Sequence, residues 1–168
     1  MFAHNLLVTT YFTSTLPAAA ESRASLTQLL VTSLLSADSQ VRQTAASLAF
    51  NCSTVVADER LKKEKEDGYL EGMAEQEDDD WQIEIISAIM DDLSKETDEE
   101  VIHRLLAAIA KFLFLAPTQS SSIADLLSAL EIKDVLDAKK TDKIITTSKV
   151  SNLAREVLLL VESSVSSA

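Results

Sequence analysis

Three side chains in this chain have the chemistry of a nucleophile–base pair or a soft metal site: Cys52, His4 and His103. A thiol nucleophile needs a base within hydrogen-bond reach, and neither histidine stands at a metal-ligand spacing from Cys52. Cys52 also falls on the apolar side of a helical pattern, where it reads as a small buried hydrophobe. The carboxylates of residues 75–80 form a run of charge, with nothing to set two of them across a cleft for acid–base work. The expectation is therefore a protein without catalytic residues, metal or cofactor.

Binding chemistry is better represented. Arg104 and Lys111 are seven residues apart, two turns up one helix face and off the centre of its apolar stripe. Two cations aligned in this way can hold an acidic peptide or a terminal carboxylate, with Arg offering a bidentate fork. The ordinary structural alternative is an i,i+4 pair between Arg104 and Glu100, worth about a few tenths of a kcal/mol. Asn5 and Asn51 sit in apolar, helical surroundings. There a short amide either braces neighbouring backbone or clamps the main chain of a bound peptide. Arg42, at the border of its stripe, reads first as a solvated side chain and then as a further contact. His103 reads as a surface residue. Lys139, Lys140, Lys143 and Lys149 read as a solvated basic stretch, and only secondarily as a second acidic-partner contact.

These residues need helices to position them. The chain has 168 residues, 46% of them hydrophobic, with only two Gly and two Pro. That is enough for one domain with a real core, and too few turn residues for an all-β chain. Pro17 and Pro117 each follow a long helical pattern, where a helix should stop. A single cysteine excludes an internal disulfide and fits a reducing compartment. The longest apolar runs are too short to span a membrane. A net charge of −12 argues against a nucleic-acid surface. Residues 58–80 alone carry a net −7, with eleven acidic and four basic side chains.

The central stretch is 39–56. Val41, Ala45, Leu48, Cys52 and Val55 recur at spacings of four and three, one apolar stripe of a helix. Asp38 precedes it as a capping residue. Upstream, residues 1–16 read as a helix with Phe2, Leu6, Leu7 and Tyr11 inward. Its abrupt apolar start points to a piece of a longer protein. Residues 21–35 follow, with Leu26, Leu29, Leu30 and Leu34 on the apolar side. Residues 58–80 break the pattern as an acidic insertion: 62–65 can continue the helix for a turn or two, and Gly68, Gly72 and the acid run over 75–80 read as a solvated loop. Trp81, Ile85, Ile86 and Ile89 mark a helix over 81–93. Thr97 and Glu100 predict a capping box for a helix over 98–115, with Val101, Ile102, Leu105, Ile109, Phe112 and Leu113 inward. Ser122 and Asp125 open a short helix through Leu130, and 132–136 is a further turn or helix. Residues 139–147 form a polar connection, 148–162 the last helix, and 163–168 a polar tail.

Helix pair follows helix pair. Asn5 and Asn51 recur 46 residues apart, and residues 48–51 align with 107–110 at an offset of 59. The surplus of about 13 residues is a length that the acidic segment supplies. Periods of about 40–47 residues with two or three helices each define armadillo and HEAT arrays. The expected fold is all-α, an armadillo-like α-solenoid forming one domain over 1–168. In such arrays the last helix of each unit lines a concave face, which here means 1–16, 39–56 and 98–115.

The order of these pieces resembles the PUL domain, a module named for the phospholipase-activating protein. The similarity is carried by Phe2-Ala3-His4-Asn5, by residues 41–51 (VRQTAASLAFN), by residues 104–109 (RLLAAI), and then by 126–132 and 149–161. It covers most of the chain, chiefly the carboxy-terminal half or more of a full domain. The resemblance implies an armadillo-type array that docks the acidic carboxy-terminal tail of an AAA+ unfoldase of the valosin-containing-protein type. It also implies a role in ubiquitin-dependent protein turnover, and a basic residue at the position of Arg104. Two departures stand out. Ala110 and Lys111 occupy a place where the family usually has Gly, and the acidic insertion is long enough to shade a groove.

The expected function is thus a non-catalytic adaptor, monomeric and cytoplasmic or also nuclear. Its partner would contact Arg104, Lys111, Asn51, Asn5 and Arg42. Three alternatives stay open: another armadillo or HEAT scaffold, a domain attached to a thiol isopeptidase in a longer chain, and a self-association module signalled by an exposed apolar patch.

Overall fold

Helical periodicity without internal Gly or Pro makes the chain fold locally, and burial of the resulting stripes decides how the helices pack. The computed structural model describes residues 20–66, 74–114, 120–141 and 148–165. Among these there are seven helices and no strand. They are α1 Ala20–Leu34, α2 Ser39–Glu66, α3 Ala74–Lys95, α4 Glu99–Phe114, α5 Ser120–Ala129, α6 Ile132–Thr141 and α7 Ser148–Val165. The fold is an all-α helical repeat, as the sequence predicts. Among the described residues no helix is long and apolar enough to cross a membrane.

The core centres on α4. Val101, Ile102, Leu105, Leu106, Ala108, Ile109, Phe112 and Leu113 are all buried, a stripe broad enough to serve several neighbours. One side of α4 packs on α2, which presents Ala45, Ala46, Ala49 and Cys52. Small side chains there let the two backbones approach closely. The other side meets α7 through Val150, Ala154, Val157 and Val161, with α5 alongside. Leu26, Leu30 and Leu34 of α1 and Ile85, Ile86, Ile89 and Leu93 of α3 join the same core.

Several expectations need correction, among them the polar tail expected over 163–168, which is helical through Val165 within α7. The acidic segment expected as a loop over 58–80 is helical at 58–66, within α2, and at 74–80, within α3. Lys and Glu are good helix formers, and the acidic first turns of α3 suit the positive end of the helix dipole. Leu29 and Val41, placed in the apolar stripes, are exposed, because the stripes of α1 and α2 are narrower than their apolar residues. The cap of α4 is Asp98, one residue after the expected Thr97: Glu100 N–H and Val101 N–H donate to its Oδ1 at 3.0 and 3.2 Å. Lys139, expected in a solvated connection, is buried at the end of α6. The expected cap at Asp38 holds, accepting from Gln40 N–H at 2.8 Å. Between α5 and α6, Glu131 adopts a left-handed φ of 57°, the conformation that ends a helix and lets the next one start at once.

Candidate peptide-binding face

The alignment of residues 48–51 with 107–110 is a statement about space as well as sequence. In a solenoid, equivalent residues of successive units lie side by side. Here Ser39 Oγ donates to Asp98 Oδ2 at 2.8 Å, an offset of 59 residues. Arg104 Nη1 donates to Ser47 Oγ at 2.6 Å and to Gln43 O at 2.8 Å, offsets of 57 and 61. Contacts that advance together along both chains require α2 and α4 to run parallel, in the register the offset of 59 predicts. Asp38 and Asp98 are the corresponding caps. Asp98 serves twice, because Gln43 Nε2 also donates to its Oδ2 at 3.2 Å. Burial alone would raise the Asp98 carboxyl, and the bonds from Ser39, Val101 N–H, Gln43 and Glu100 N–H instead hold it below the usual carboxylate range.

Arg104 stands in the crease between these helices. Its Nε donates to Glu100 Oε1 at 2.8 Å, with Nη2 2.7 Å from the same oxygen. The expected intrahelical pair with Glu100 therefore exists, and the two bonds from Nη1 to α2 add what the sequence did not show. The side chain remains 34% exposed. A guanidinium carries five N–H donors, and these contacts to Glu100, Gln43 and Ser47 fix its orientation. Lys111, two turns on, is half-buried and has no ion-pair partner among the described residues. Asn51 is half-buried on α2. Asn5 lies outside the described residues.

Arg42 belongs to a different arrangement. Its Nε and Nη2 donate to Glu96 Oε2 and Oε1 at 2.7 and 3.2 Å, and Nη1 donates to Ser36 O and Ala37 O at 3.0 and 3.2 Å. It is not the solvated side chain expected. It ties the α1–α2 turn to the end of α3, and we do not retain it as a partner contact. Lys139 Nζ reaches the same corner, donating to the backbone carbonyl of Glu96.

Three residues of the face escaped sequence reasoning: Gln43 and Ser47, which seat Arg104, and Phe50, which is 38% exposed on α2. Their signal was the i, i+4, i+7 spacing of 43, 47 and 50 opposite the apolar stripe, a pattern that solvated faces share.

Cys52 is fully buried, and burial pushes its thiol up to about 12, against a smaller opposing effect of its own backbone. A thiolate is the reactive form. Aromatic disulfide reagents at neutral pH are accordingly expected to leave the folded chain unlabelled and to react at the rate of unfolding; prompt native-state labelling would contradict this burial. Among the described residues no three His, Cys, Asp or Glu side chains cluster as metal ligands.

The chain has no match among curated proteins or solved structures. A family model does match, that of the PUL domain, over residues 1–156. A match over most of the chain, on an all-α helical repeat, leads to one conclusion: the chain belongs to the PUL domain family and is a protein-interaction module.

Proposed function

We propose that the α2–α4 face binds the acidic carboxy-terminal tail of a valosin-containing-protein-type AAA+ unfoldase, as an adaptor in ubiquitin-dependent protein turnover. On this reading the protein works where that unfoldase does, in the cytoplasm and nucleus. The observation that carries the proposal is Arg104: part-exposed, held in orientation by two bonds to α2, and followed by Lys111 on the same helix. An arginine held in this way loses little side-chain freedom when it takes a carboxylate, which favours binding. Asn51 on α2 and Asn5 upstream are proposed to meet the peptide main chain, and Phe50 to offer an apolar contact beside them.

Calorimetric titration with the tail peptide tests this. Saturable binding is expected, weakened by about 1.5–3 kcal/mol in Arg104→Ala, the range for a hydrogen bond to a charged group. Because Arg104 also joins α2 to α4, Lys111→Glu serves as the companion variant, with thermal unfolding run on both. Weaker binding in both variants with the fold intact supports this face. Binding that neither variant alters places the tail elsewhere, and no binding by the well-folded parent removes the proposed partner.

A further inference from the structure

The corner where α2, α3 and α6 meet holds a carboxylate with a buried oxygen that no donor reaches. Asp92 and Glu96 lie one turn apart at the end of α3, both buried. Glu96 uses both oxygens: besides Arg42, Oε1 accepts from Thr97 N–H at 2.7 Å and Asp98 N–H at 2.8 Å. Arg42 directs its donors to Glu96 and to the carbonyls of Ser36 and Ala37, and Lys139 directs Nζ to the Glu96 carbonyl. Asp92 is 8% exposed, and its buried Oδ2 has no hydrogen-bond partner. Like charges at i,i+4 repel, and a buried acceptor without a donor costs free energy that a protonated carboxyl avoids by becoming a donor itself.

We propose that Asp92 is a proton-operated latch: taking up one proton in mild acid tightens the α2–α3–α6 corner, and ionisation near neutral pH loosens it. Protonation removes the repulsion with Glu96 and the cost of burying an ionised carboxylate whose Oδ2 has no donor. The charged groups acting on Asp92 are Asp91 and Lys95 on its own helix, Glu96 just past the helix end and Arg42 from α2; at the same corner Lys139 from α6 bonds the Glu96 carbonyl and Asp98 from the α3–α4 turn lies near Arg42. The charged residues of α1, Glu21 and Arg23, lie in its first turn; Arg23 stacks over Trp81, 5.2 Å from the ring centre, about three turns before Asp92. Burial, then Glu96, raise the Asp92 carboxyl to about 6; Arg42 opposes this, Asp91 adds to it and Lys95 opposes it.

The direction with pH follows from comparing the two states. The folded chain holds this proton more tightly than the unfolded chain, whose Asp titrates near 3.9. Above about pH 6 both states are ionised and the fold bears the full penalty. As pH falls from about 6 towards 4 the fold takes the proton first, so this group adds stability across that window. Glu96 acts oppositely. Burial would raise its carboxyl, but the bonds from Arg42, Asp98 N–H and Thr97 N–H lower it, so its stabilisation is lost only in stronger acid.

The test is urea unfolding of the parent and Asp92→Asn between pH 7.5 and 5.0, read by the fluorescence of Trp81, the single tryptophan. Between pH 7.5 and 5.0 the unfolding constant of the parent is expected to fall about tenfold relative to that of Asp92→Asn, the gap narrowing further only towards pH 4. A ratio that stays constant across the range overturns the latch. A carboxyl-carbon NMR titration of the parent decides independently of the variant: a midpoint well above the ordinary range for Asp92 supports the proposal, and one near 3.9 overturns it.

Discussion

Glu96→Ala is expected to destabilise the fold by about 3–4 kcal/mol in urea unfolding at pH 7.5, near the lower end of the range for breaking a buried ion pair. The Glu96 side chain is 3% exposed and that of Arg42 is 18% exposed. Removing the carboxylate takes away the only anion among the described residues bonded to this part-desolvated guanidinium, leaving Asp92 and Asp98 to act on it through space. It also strips the Thr97 and Asp98 N–H groups of their acceptor, so the α3–α4 turn loses its bracing. The residual exposure of Arg42 lets water recover part of the loss. A double-mutant cycle with Arg42→Met separates the pair from the turn: a coupling well below the single-mutant loss assigns the remainder to the N–H groups. A loss under about 1 kcal/mol, the scale of an exposed pair, would show that water already reaches this corner. The Lys133–Glu162 pair is the contrast, since both side chains are largely exposed and its removal is expected to leave the unfolding midpoint unchanged.

Leu105→Ala carries the other large effect, about 3–5 kcal/mol by the cavity rule for buried leucines. Leu105 is fully buried on α4, the helix that packs against α2 on one side and α7 on the other. Neighbours held from both sides cannot collapse into the space a leucine leaves. For a chain of this size the fall in melting temperature should be about 10 °C or more, measured by calorimetry. Arg104, the next residue along the helix, stays bonded to α2 in this account. Tail binding measured well below the melting point is therefore expected to survive unchanged in Leu105→Ala while weakening in Arg104→Ala. Loss of binding in both would mean that the crease depends on core packing and that Arg104 is no separate contact.

Much of this architecture was legible in the amino-acid order. Apolar residues at spacings of three and four, with four Gly and Pro in the whole chain, determined an all-α protein. The same periodicity located α1 to α4 and α7 to within a few residues, apart from the extensions of α2 and α3 into the acidic segment. The offset of 59 anticipated that α2 and α4 lie parallel in matching register, because repeats stack like on like. Cys52 was read as a buried hydrophobe, and it is one. The order of the pieces also carried the family. Periodicity and capping are legible because they depend on neighbours within a turn or two of the same chain.

What only the tertiary structure decided concerns long polar side chains and the edges of apolar stripes. Arg42, Glu96 and Lys139 are distant in sequence, and nothing local marks them as one corner. Arg104 could be assigned its partner Glu100, four residues back, but not Gln43 and Ser47 on another helix. Leu29 and Val41 fit the pattern yet face solvent, since a stripe is only as wide as the helix that covers it. Asp92 reads in sequence as one acid among 27 Asp and Glu residues. It becomes distinctive only where burial removes its water and leaves its Oδ2 without a donor. A side chain's local conformation depends on its own few residues, whereas its charge, exposure and partners depend on what the rest of the fold places opposite it.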